Sequence, residues 1–201
     1  MSDFEIMFAL FSLLIGLAMA ELLTGLARAW RIKRGAIDKG EAAIKVGWLV
    51  PLFGFVLLSE LTRFWITAYS LREYLVFDYF HLLAMAAIIG GYFIISTFVF
   101  PDEPSKWPDF DDYFLRTNRT VVGGMIVVNL TIMLYAALLV ASGAPWEETP
   151  VARSWISMVA AASYLPALAA LWFARSKRTN LFVLILIVML NLTLAIGSGQ
   201  R

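Results

Sequence analysis

An all-α bundle of six transmembrane helices is the fold class this sequence predicts, and three observations predict it. The 201 residues are 61% hydrophobic and only 15% charged, whereas a soluble domain is nearer half apolar and a quarter charged. A chain this short cannot hide so much apolar surface in its own interior. Six stretches are long and apolar enough to cross a hydrocarbon core about 30 Å thick, which takes roughly 20 helical residues. Those stretches lack period-two alternation and are rich in Leu, Ala, Ile and Met, so they read as helices rather than strands.

The spans fall at about 4–29, 42–66, 79–100, 120–142, 154–174 and 180–199, in one domain covering 1–201. Span one is uncharged from Ile6 to Ala20 and stops before Arg31, Lys33, Arg34 and Gly35. Ala18 and Ala20 imitate a signal-peptidase site, but Asp3 and Glu5 stand where a basic leader would need Lys or Arg, so retention is expected. Span two is uncharged from Val46 to Ser59. Span three opens at His81 and closes at Pro101. Pro101, Pro104 and Pro108 then forbid a helix until Asp109, a suitable N-cap. A short interfacial helix is expected at 109–118, with Asp111 and Asp112 in its first turn and Arg116 and Arg119 in its last, as the helix dipole favours. It reads as a membrane-resting connector, or alternatively as a docking surface for a cytoplasmic partner. Gly143 and Pro145 end span four, and Arg175, Lys177 and Arg178 separate spans five and six.

The positive-inside rule orients the chain. With both termini on the non-cytoplasmic side, the inner loops collect twelve of the 16 basic residues, including Arg28, Arg31, Lys33, Arg34, Lys39 and Lys45. Only Arg63, Arg72, Arg153 and Arg201 stay outside. Tryptophans agree: Trp30, Trp48 and Trp172 fall near inner ends and Trp65 and Trp155 near outer ends, where indoles settle at headgroup level. The expected location is a bacterial-type inner (plasma) membrane, N-out and C-out. Anionic lipids are the expected partner of the basic inner loop. A net charge of +1 gives no sign of nucleic-acid binding.

Ionisable groups inside spans are costly and become candidates by default. Glu21 shares a face with Thr24 and Arg28; Glu60 is followed one turn later by Arg63. By span arithmetic the two glutamates lie near opposite boundaries, roughly 20 Å apart in depth. Each is therefore expected to pair locally, Glu21 with Arg28 or Lys45 and Glu60 with Arg63. Gating or ion access is the alternative. Asp78 and His81 read as an anchored interfacial pair. At mid-depth, Ser12, Asn129, Ser163 and Asn191 offer hydrogen-bonding groups at nearly one level. They are either glue between helices or the lining of a midplane cavity, assisted by Pro51 and Pro166.

Several chemistries lack their residues. With no cysteine and one histidine, disulfides, thiolate catalysis, iron–sulfur clusters and multi-histidine metal sites are excluded within one chain. No mid-span lysine offers a Schiff base, and His81 sits far from any serine placed for intramembrane proteolysis. No catalytic residue, metal ligand or cofactor is expected. Small-residue pairs such as Gly16 with Ala20 and Ala86 with Gly90 favour close helix packing. Two functions follow. One is a non-enzymatic accessory or scaffold subunit that associates with itself or with other membrane subunits. The other is a small channel or transporter with the midplane layer as its site.

Overall fold

The computed structural model describes residues 3–35, 44–75, 78–144, 146, 151–152 and 154–199. Six long helices account for most of them: α1 (Asp3–Lys33), α2 (Leu49–Ser70), α3 (Tyr79–Thr97), α4 (Phe110–Ala141), α5 (Trp155–Phe173) and α6 (Lys177–Gly199). All six are long and apolar enough to cross a membrane, and no strand occurs among the described residues. The all-helical fold class and the six spans are therefore as expected.

The elements differ from expectation in three places, each for a physical reason. Residues 44–48 are not helical, so the second span starts at Leu49 rather than near 42. The Lys45 backbone instead bridges the start of α4, its N–H donating to Pro108 O at 2.8 Å and its carbonyl accepting from Phe110 N–H at 3.0 Å. The separate interfacial helix expected at 109–118 does not form. Asp109 caps the helix as foreseen, accepting from Asp111 N–H at 2.8 Å. Nothing downstream breaks the run, so 110–118 are the first turns of α4 itself. Nor does Pro51 interrupt its span: it lies in the first turn of α2, where a missing N–H leaves no helical bond unmade. Pro166 lies inside an α5 that continues past it.

α2 is the central element. It packs on α1, α4 and α6, while α1–α3, α3–α4, α4–α5 and α5–α6 contacts form an arc around it. Half of its apolar window is buried, against 28–39% for the other spans. Its one exposed stripe runs through Phe55, Thr62, Ile66 and Tyr69 at helical spacing. Close approach at one end depends on two glycines. The Phe100 ring is wedged between α1 and α2, where a Cβ on Gly25 or Gly54 would come within 2.3 and 2.8 Å of it. The Tyr113 hydroxyl holds that turn by reaching the carbonyls of Phe98 and Phe100 at 2.9 and 3.3 Å.

A polar centre joining four helices

The central place of α2 buries Glu60 and half-buries Arg63, so their partners come largely from neighbouring helices. Glu60 is fully buried. Its Oε1 accepts from Asn129 Nδ2 of α4 at 2.6 Å and faces Arg63 Nη2, one turn along α2, at 3.6 Å. The Asn129 amide also donates to Met125 O at 2.9 Å. Arg63 Nε donates to Asn191 Oδ1 of α6 at 3.2 Å. Asn191 Nδ2 in turn reaches the Tyr164 hydroxyl of α5 at 3.4 Å, and the Arg63 guanidinium lies 5.2 Å from the centroid of the Tyr164 ring. The polar centre thus ties α2 to α4, α5 and α6. Glu60 Oε2 and the hydroxyl of buried Tyr92 have no hydrogen-bond partner among the described residues.

The expected midplane layer divides. Asn129 and Asn191 are buried and come together around the Glu60–Arg63 pair. Ser12 and Ser163 do not join them. Ser12 Oγ donates at 2.5 Å to Phe8 O in its own helix, the usual way for a helical serine to satisfy itself, and α1 packs on α2 and α3 rather than on the helices that carry the amides. Ser163 is half-buried beside Tyr164 and takes no part in the network.

The charge pairs divide as well. Glu60 and Arg63 pair as expected. Glu21 does not pair with Arg28 or Lys45: Arg28 Nη1 donates to Asp102 O at 3.2 Å, and Lys45 Nζ lies 3.5 Å from Asp109. Glu21 is exposed and makes no ion pair among the described residues. Its level relative to Glu60 also differs from the expectation. Phe8 packs on Trp65 with ring centroids 4.1 Å apart, and Gly25 and Gly54 face the same ring. That antiparallel register sets Glu21 near the level of Val56 to Leu58, within roughly 10 Å of the depth of Glu60.

A second polar cluster gathers at the helix starts. Asp109 takes Lys177 Nζ of α6 at 3.1 Å as well as Lys45, and Asp112 takes the same lysine at 2.8 Å. Asp111 Oδ1 accepts from Leu49 N–H at 3.2 Å, capping α2 from a distance of 62 residues in sequence. Partial burial pushes the Asp109 carboxyl up, but the Asp111 N–H and the two lysines outweigh it and hold it below the ordinary carboxylate value. Asp78 and His81 pair as expected: Asp78 caps α3 by accepting His81 N–H, and its other oxygen lies 2.8 Å from His81 Nδ1. The hydrogen bond from the His81 N–H is the main reason that the Asp78 carboxyl lies below its usual value.

Sequence reasoning missed Tyr92, Tyr164 and the lysine–aspartate cluster. A tyrosine within an apolar span needs a partner for its hydroxyl, and that signal was available for Tyr92 and Tyr164. The cluster joins residues far apart in sequence and left no local pattern. No protein-family model, curated protein or solved structure matches this chain.

Proposed function

We propose that this chain is an integral membrane protein acting as a non-enzymatic scaffold or accessory subunit, and that it associates with a second copy of itself through α1. The observation that carries this reading is Glu21. A carboxylate on the outer face of an apolar helix costs roughly 2.5–3.5 kcal/mol if hydrocarbon is its neighbour. Glu21 shares its exposed face with Gly16, Ala20 and Thr24, and a Cβ on Gly16 would meet nothing within 4 Å. Small residues allow a second helix to approach closely. Across a two-fold axis normal to the bilayer, Thr24 of one copy can donate to Glu21 of the other, so the face is self-complementary. The direct amide contacts of the polar centre fit glue better than an open path.

The remaining expectations complete the proposal. The membrane is a bacterial-type inner membrane with both termini on the non-cytoplasmic side. Anionic lipids meet the basic inner loop, where Lys33 Nζ lies 4.0 Å from the centroid of the exposed Trp48 ring, an arrangement suited to the headgroup level. The chain has no cysteine, so Ala20→Cys provides a clean test. Oxidation in native membranes should give a crosslinked dimer, whereas Phe182→Cys on α6 should not. Equal crosslinking at both positions, or none at either, removes the reading. The second reading, a channel or transporter, is favoured by a cavity that reaches Arg63. It requires flux in liposomes that Asn129→Leu abolishes in a folded protein.

A further inference from the structure

Beside the polar centre lies a cavity of about 60 Å³ between α2, α3 and α4. Its lining runs along α2 from Arg63 to Leu71, a distance of roughly 12 Å. Arg63 and Tyr92 make one end polar, and Tyr135, whose ring centroid lies 5.9 Å from that of His81, is set farther along a mostly apolar wall. Arg63, Tyr92 and Tyr135 line it together with Ala68, Met85 and Leu139.

The polar groups at this cavity are donors with capacity to spare. Tyr92 is fully buried, and neither its hydroxyl nor the buried hydroxyl of Tyr135 has a partner among the described residues. Native proteins rarely leave such groups unpaired. Arg63 uses Nε on Asn191 and Nη2 on Glu60 and also meets the Tyr164 hydroxyl, and five N–H donors exceed these three partners. The unpartnered Tyr92 hydroxyl beside the Arg63 guanidinium is a place for an acceptor oxygen. Charge then narrows the choice. Glu60 already faces the Arg63 guanidinium, so an anion would bring an uncompensated negative charge into a low-dielectric site. The mostly apolar wall completes the specification, since it offers contact surface chiefly to carbon.

We propose that this cavity binds a small uncharged molecule carrying one acceptor oxygen on a short apolar body. The oxygen sits between Arg63 and Tyr92, and the body lies along Ala68, Met85 and Leu139. The alternative occupant is water alone, since a few molecules would fit the volume.

A diazirine-bearing pentanol, irradiated with the full chain in lipid nanodiscs and mapped by mass spectrometry, tests this. Adducts should concentrate on Met85, Tyr135 and Leu139 and fall at least tenfold with excess unlabelled 1-pentanol. Ala68→Phe, which fills the cavity, should remove them. Tyr92→Phe keeps the shape and deletes one donor, so it should lower labelling severalfold even if Ala68→Phe does not fold. Adducts spread evenly over outward-facing residues such as Leu134 and Phe182 would overturn the proposal. Cavity labelling unchanged by Tyr92→Phe would overturn it too, as would no competable labelling, which leaves water as the occupant.

Discussion

Replacing Arg63 by methionine keeps the unbranched apolar stem of the side chain and removes the guanidinium with its charge. Glu60 would then keep its hydrogen bond from Asn129 at 2.6 Å and lose the cation that faces it. Asn191 would lose the donor to its Oδ1. Stranding one member of a buried pair costs about 3–5 kcal/mol, and the lost hydrogen bond across helices adds on the order of 1 kcal/mol. For a chain of this size, the ion-pair term alone corresponds to a midpoint lowered by roughly 6–20 °C. The assay is thermal unfolding in a mild detergent, followed by far-UV circular dichroism. The double variant Glu60→Gln with Arg63→Met leaves no unpaired charge and should recover most of the loss, because both desolvation costs vanish together. A single variant within about 1 kcal/mol of the parent, or a double variant less stable than Arg63→Met, would refute the reasoning.

Other perturbations have equally definite outcomes. The lowered Asp109 value means that its contribution to stability is present above the ordinary carboxylate value, near pH 4, and is lost as pH falls through the folded value. Asp109→Asn should therefore flatten the acid side of a stability-versus-pH curve below about pH 4, and an unchanged acid limb would exclude this role. Gly25→Val should cost about 1–3 kcal/mol by forcing the Phe100 ring from its slot, with partial rescue by Phe100→Leu in the same unfolding assay. Asn129→Leu should lower stability by about 1–3 kcal/mol, since it leaves the buried Glu60 carboxylate without its amide. Ser12→Ala, outside the network, should shift stability by less than about 0.5 kcal/mol.

What could be read in advance follows from the range of the interactions. Six helices were legible because hydropathy and length are local properties, and the Glu60–Arg63 pair was legible because i,i+3 neighbours share a face. Asn129 and Asn191 were legible as buried amides, although the groups they would meet were not. Those depend on α2 lying inside the arc, and no local pattern states which helix is central. The start of α2 differs from the expectation because Lys45 is held by Pro108 and Phe110, more than sixty residues away. The same range limit explains Glu21. Its expected partners were chosen from equal span depths, whereas the packing of Phe8 on Trp65 and of Phe100 between Gly25 and Gly54 shifts α1 along α2.

Native mass spectrometry of the chain released from nanodiscs, with and without Glu21→Leu, tests the scaffold account most directly. The parent should appear as twice its 22.5 kDa chain mass plus bound lipid, and Glu21→Leu should appear largely as the single chain. A parent that flies only as a monomer, or a Glu21→Leu variant that stays dimeric, contradicts it.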